Sequence, residues 1–544
     1  MRIPTSRIHQ LAVGATAGTV LLAACGQSPD AKPATPELKV TTVTPKAAGD
    51  LDSATWAVAS EPSSMDWIYN ASFDTGQIMA NVCEGLLRLD PDLHVEPALA
   101  ESYVNPTPTT WVYTLKPGVT FHDGTTLTAE DVAFSLNRNL DKAAGSFWSG
   151  AYVNVKSITA TGPLEVTVEL TKPDALWNSY LSSPAGIVDS KKTVEAKGKA
   201  YGTPDGGVNC VGPYALTKWD KGQSITVTRD DHYFDPAHRA KIAKLTFTFV
   251  RDPAAEVNGL LSGTIDGAWF LPPSSLAKLS KSGVGTVYYG KSTQGFNAIV
   301  MDMSGPLKDV RIRQALSMAI DRNGIIRAVA GGAAQPQKAP AVPGSWGYAE
   351  PTFQSAWDGL AVTERNLDAA RKLVKEAGAP DRPIVIATTN GEAEVPVIGA
   401  EIQSAAKQIG LDVEIKTFPA DAYNGVYTDA KARKGIDLYL TGWGTDFADP
   451  VQMYQYFQTG NFYNFTGFSD PKYDALVDEA AQTMDGAKRA ELITQAQQIV
   501  VDQLLWIPLY APYNTLFLNK RVTGSPASYV QLHYPWAADL GAAR

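Results

Sequence analysis

The sequence predicts a large mixed α/β protein with more than one lobe. Three observations carry this. About 520 residues follow an N-terminal leader, and at ~100–200 residues per domain they make two to four units. The apolar share is 44 % and the charged share 19 %, which supplies apolar surface for large cores. The stretch 384–418 reads strand, helix, strand, a βαβ unit that places its two strands parallel in one sheet.

The chain opens with Arg2 and Arg7, followed by an apolar run over 11–24 and then Cys25. The run is short of the roughly 20 residues a membrane-spanning helix needs. It reads as a secretory signal cleaved before Cys25. Leu22-Ala23-Ala24-Cys25 resembles a bacterial lipobox, which implies signal peptide 1–24, a lipid-modified Cys25 as the mature N-terminus, and an extracytoplasmic protein tethered to the membrane. Residues 25–50, rich in Pro, Ala, Thr and Lys, are expected to form a flexible spacer.

Order is expected from the strand pattern at 54–58. Strands come next at 111–115 and 119–121, separated by the Pro117-Gly118 turn and closed by Asp123-Gly124. Thr128 is placed to cap a helix, with Glu130 and Asp131 in its first turn and Phe134, Leu136 and Leu140 along its apolar face. Further strands are expected at 164–170, 224–228 and 245–250. Further helices are expected at 311–320, 367–377, 397–409 and 487–505.

Composition and motifs exclude several classes. A net charge of −9 opposes nucleic-acid binding, which needs a basic face. The six His form no HxH or HExxH pair and there is no CxxC, so no metal site or other cofactor is expected. No GxSxG, P-loop or GxGxxG occurs, and the pairs His122-Asp123 and Glu130-Asp131 sit at turn or helix-start positions, so no catalytic residues are assigned. Besides Cys25, the remaining cysteines are Cys83 and Cys210. In an oxidising compartment they form either one disulfide or two buried thiols.

Seven segments in one order carry a family resemblance. They are 81–89 (NVCEGLLRL), 111–132 (WVYTLKPGVTFHDG running on to LTAEDV), 211–216 (VGPYAL), 229–234 (RDDHYF), Phe296-Asn297 leading to 309–322 (DVRIRQALSMAIDR), 442–450 (GWGTDFADP) and 506–510 (WIPLY). Together the chain resembles the extracellular solute-binding proteins of peptide-type ABC importers, a family with nickel and some sugar binders.

The resemblance implies a two-lobed periplasmic-binding fold of the large peptide-binder type, with a hinge between the lobes. Lobe I would hold 51–289 and 509–544, with an extra subdomain over 84–204, and lobe II would hold 290–508. It also implies a peptide ligand, an ABC permease as partner, a monomer, and no enzymatic activity. Asp446 is expected to pair with the ligand's α-ammonium, Trp443 to pack over its first residues, Asn297 to bond its backbone, and Tyr510 and Tyr513 to wall the cleft. Asp449 has a weaker claim on the ligand. Cys83 and Cys210 depart from the family's usual residues and both fall in the first lobe, which favours a bond between them. The same fold binding an oligosaccharide or glycoside is the alternative ligand class. A lipid-anchored hydrolase is the alternative outside it.

Overall fold

The computed structural model describes residues 38–69, 72–361 and 364–544. The signal, Cys25 and the first part of the spacer lie outside the described residues. Residues 38–50, expected as spacer, are bound to the fold. Val40 bridges Tyr289, Val43 bridges Pro526 and Gly49 bridges Ala542. Buried Thr44 donates its hydroxyl to the Ser525 carbonyl at 2.8 Å. A segment with few large side chains is ordered here because neighbouring strands satisfy its backbone.

Two sheets organise the molecule. The first has seven strands in the order Gly285–Gly290, Asn514–Asn519, Gly267–Trp269, Leu51–Val58, Ile242–Phe249, Ser224–Arg229 and Tyr214–Asp220. Trp56 is fully buried against Trp536 and Trp269, with ring centroids at 4.3 and 6.1 Å. The neighbouring strand offers Gly267, where a Cβ would stand 2.3 Å from the Trp56 ring. The second sheet has six strands in the order Ala334–Pro336, Trp506–Pro512, Gln294–Val300, Leu438–Gly444, Ile384–Thr389 and Val413–Phe418. Ile384–Thr389 and Val413–Phe418 pair in parallel, with Ile384 opposite Val413 and helix Glu394–Gln408 between them in sequence. This is the βαβ unit read from the sequence.

A separate antiparallel sheet of Ala100–Thr107, Thr110–Leu115, Glu165–Leu170 and Val155–Gly162 stands apart from both. Beside it runs helix Ala129–Asn137, opened by a capping box in which the Asp131 amide donates to Thr128 Oγ1 and the Thr128 amide to Asp131 Oδ2. Val132 and Leu136 face the core, while Phe134 is half-buried and Leu140 lies past the helix end. The strand expected at 119–121 is a single bridge between Thr120 and Thr126, because the Asp123-Gly124 turn folds the segment back at once.

The chain passes between the two large sheets twice. Residues 291–293 link Gly285–Gly290 to Gln294–Val300, and Tyr513 alone links Trp506–Pro512 to Asn514–Asn519. The second passage thus comes four residues beyond the expected boundary at 509, since Trp506–Pro512 pairs wholly within the second sheet. The first passage is tightly packed. A Cβ on Gly290 would lie 1.8 Å from the Ala527 carbonyl oxygen.

Cys83 and Cys210 are joined as a disulfide, with Cα atoms 5.2 Å apart. Cys83 is the C-cap of helix Phe73–Val82 and its amide donates to Met79 O. The bond ties this helix end to the segment that comes after the extra sheet in sequence.

Candidate ligand-binding site

A cavity of about 150 Å³ is lined by residues from both lobes. From the second lobe it receives Gln294 and the run Gly444–Asp446. The register explains their meeting, since Gln294 is directly opposite Gly444 on the adjacent antiparallel strand. From the first lobe it receives Trp67, one face of helix Phe73–Val82, Phe147 and Trp148, and the C-terminal residues Tyr529, Leu532 and His533.

Asp446 is the one charged side chain among the described residues lining this cavity. Helix Pro450–Gln455, just beyond, positions it. Gln452 Oε1 accepts from the Asp446 amide at 2.8 Å, and Gln452 Nε2 donates to Asp446 Oδ2 at 2.6 Å. Asp446 is exposed by surface area and lines the cavity, while the protein mass packed around it keeps much of the surrounding water away from the carboxylate. Desolvation therefore raises its pKa, with the Gln452 amide pulling the other way. Asp449, three residues on, is structural. It caps the same helix through the Val451 amide, accepts from Tyr348 OH at 3.0 Å, and pairs with Arg489 at 3.3 Å.

The structure withdraws the other expected contacts from the cavity. Trp443 points into an aromatic cluster of the second lobe, with Tyr427, Tyr456, Tyr463, Phe465 and Trp506 at 5.3–5.9 Å. It lies on strand Leu438–Gly444, which ends two residues before Asp446. Asn297 is fully buried at a register shift, donating to Gly295 O at 3.1 Å and accepting from Gln337 Nε2 at 3.2 Å. Its side chain satisfies backbone and side-chain groups of its own lobe. Tyr510 stacks on Phe296 at 5.2 Å with rings 4° from parallel, and is buried. Tyr513 forms the inter-sheet link, its amide donating to Ala333 O, and does not line the cavity.

Sequence reasoning missed the first lobe's contribution. Trp67 and Trp148 have their indole N–H groups committed, to Asp189 Oδ2 at 2.7 Å and to Trp67 O at 3.2 Å, so they show the cavity apolar rings. Asp189 and Asp66 share Arg138 at 2.9 and 2.5 Å, a buried cluster that pins the Trp67 wall from behind. Burial raises both carboxyls while Arg138 opposes the rise. His533 is 7 % exposed. Its ring faces the Ser182 and Asp446 backbones, one from each lobe, and burial lowers its pKa to about 4, so it is neutral at pH 7. These residues obey no spacing rule. The available signal was the density of aromatics around 529–536.

Among the described residues, one group of potential metal ligands comes within 4.8 Å, Cys83, Asp189 and Cys210, and its two sulfurs are bonded to each other. No described helix is long and apolar enough to cross a membrane.

A cavity between two α/β lobes joined by short links, with one carboxylate inside it, defines a solute-binding protein. Residues 94–465, more than half the chain, match the model of the bacterial extracellular solute-binding proteins, family 5 (middle region), and the chain belongs to that family of non-enzymatic transport components. It is 28 % identical over 500 residues to the dipeptide-binding protein DppE of Bacillus subtilis, covering 87 % of this chain and 90 % of that one. Its fold matches the ABC transporter substrate-binding protein CtaP of Listeria monocytogenes with a TM-score of 0.79 at 24 % identity, over 91 % of this chain and all of that one. It also matches the periplasmic binding protein DppA of Helicobacter pylori in complex with the peptide STSA, with a TM-score of 0.76 at 22 % identity, over 91 % and 99 % of the chains.

Proposed function

We propose that this chain is the substrate-binding protein of an ABC importer, tethered by lipid on Cys25, that captures peptides between its lobes and delivers them to a permease. Asp446 carries the reading. A lone carboxylate in a largely apolar interlobe cavity, held by one neutral amide, is the complement of a single ammonium. A free peptide presents that group at its N-terminus, and the relatives' names speak of dipeptides and peptides. A ligand shifts the equilibrium between open and closed lobes by its differential affinity for the closed form. Asp446 supplies such a difference only when the first lobe covers it.

The test is titration calorimetry with free and N-acetylated peptides of one sequence, on the wild type and on Asp446→Asn. Acetylation and the substitution should each cost about 3–5 kcal/mol, the penalty for stranding one partner of a buried pair. Combined, they should cost little more than either alone. Equal binding of both peptide forms would refute the ammonium pairing. Native mass spectrometry of co-purified ligand addresses the rival class, since a sugar would appear as a non-peptide mass.

A further inference from the structure

The walls around Asp446 select the ligand's first side chain as well as its ammonium. We infer that the cavity is a pocket for one residue, admitting a ligand whose ammonium meets Asp446 and whose first side chain is compact and apolar. This rests on the peptide reading above.

Trp67, Phe73, Met79, Trp148, Tyr529 and Leu532 line the space around Asp446. Both indole N–H groups are already engaged behind the rings, so Trp67 and Trp148 present only apolar faces to the ligand. Phe73 and Tyr529 brace each other edge-on at 5.8 Å. No Lys or Arg is among the described residues lining the cavity. An acidic first side chain would set a second carboxylate beside Asp446 without a cation. A Lys side chain would bring a second ammonium to one carboxylate.

Volume sets the size. A cavity near 150 Å³ is of the order that takes up benzene, so one branched aliphatic or phenyl side chain fills it. His533 is buried at the site with its ring toward the backbones of Ser182 and Asp446, so it braces the wall behind Asp446. Phe147, 63 % exposed, stands on the same cavity and offers its ring to the ligand's first side chain.

The test is calorimetry on the purified protein with Leu-Gly-Gly, Phe-Gly-Gly, Gly-Gly-Gly, Asp-Gly-Gly and Lys-Gly-Gly. The Leu and Phe peptides should bind at least about tenfold more tightly than Gly-Gly-Gly, as filling an apolar pocket requires. The Asp and Lys peptides should bind more weakly than Gly-Gly-Gly. Phe147→Ala changes an exposed side chain, spares the fold, and should lower the Phe-to-Gly ratio. Equal affinities across the series, or Lys matching Leu, would overturn the one-residue pocket while leaving peptide capture standing. Binding by none of the five would overturn the peptide reading and this inference with it.

Discussion

Opening the Cys83–Cys210 bond is the perturbation whose size can be worked most directly from the structure. The bond closes a loop with a sequence separation of 127 residues. Loop-closure entropy for that length amounts to about 5 kcal/mol at 25 °C, removed from the unfolded chain while the bond is closed. Both cysteines are buried, so free thiols remain in the same packing and the native side changes little. The assay is urea unfolding of oxidised protein against protein unfolded and refolded in reductant, with thiol counts confirmed by alkylation and mass. The midpoint should fall strongly on reduction, and the slope should rise because the opened chain exposes more surface. Ligand affinity of the folded protein should hold, since Cys83 caps the helix that carries Phe73 and Met79 into the cavity through its backbone amide, which reduction leaves in place. An unchanged midpoint with two free thiols per chain would refute the reasoning.

Three further outcomes are tied to particular residues. The folded pKa of His533 lies below its unfolded value, so its contribution is complete above pH 6.5 and is lost as pH falls through 4; the shift from 6.5 to about 4 corresponds to about 3 kcal/mol. Thermal melts of His533→Gln should show a shallower acid loss than wild type over that window, and identical pH profiles would count against the assignment. Trp443→Phe should lower stability by about 1–3 kcal/mol through the second-lobe aromatic cluster and leave peptide affinity within about threefold. A large affinity change in calorimetry would return Trp443 to the ligand. Thr128→Ala removes the capping hydroxyl of helix Ala129–Asn137 and should cost about 1 kcal/mol in urea unfolding, with Thr128→Ser restoring most of it.

Local chemistry was legible from the sequence. The capping box needs Thr128 and Asp131 three residues apart, and it formed where the sequence placed it. The βαβ unit over 384–418 is dictated by periodicity and length, and its strands pair as expected. Asp446 was found because its surroundings match a family pattern, and it does line the cavity. Asn297 and Trp443 were misread because a residue's place on a strand says little about which face meets the other lobe. A register shift beside Asn297 turns it to Gln337, and the alternation along Leu438–Gly444 sends Trp443 into the core of its own lobe.

What the sequence by itself determined is therefore the class of fold, the family and the local elements. The tertiary structure decided the rest of the cavity. Trp67, Phe147, Gln294 and His533 are separated by tens to hundreds of residues, and no spacing rule joins them. They meet because the two large sheets are built from interleaved parts of the chain and are joined by links of three residues and one. Contacts of that kind depend on strand register and inter-lobe packing, which are properties of the whole chain rather than of any segment within it.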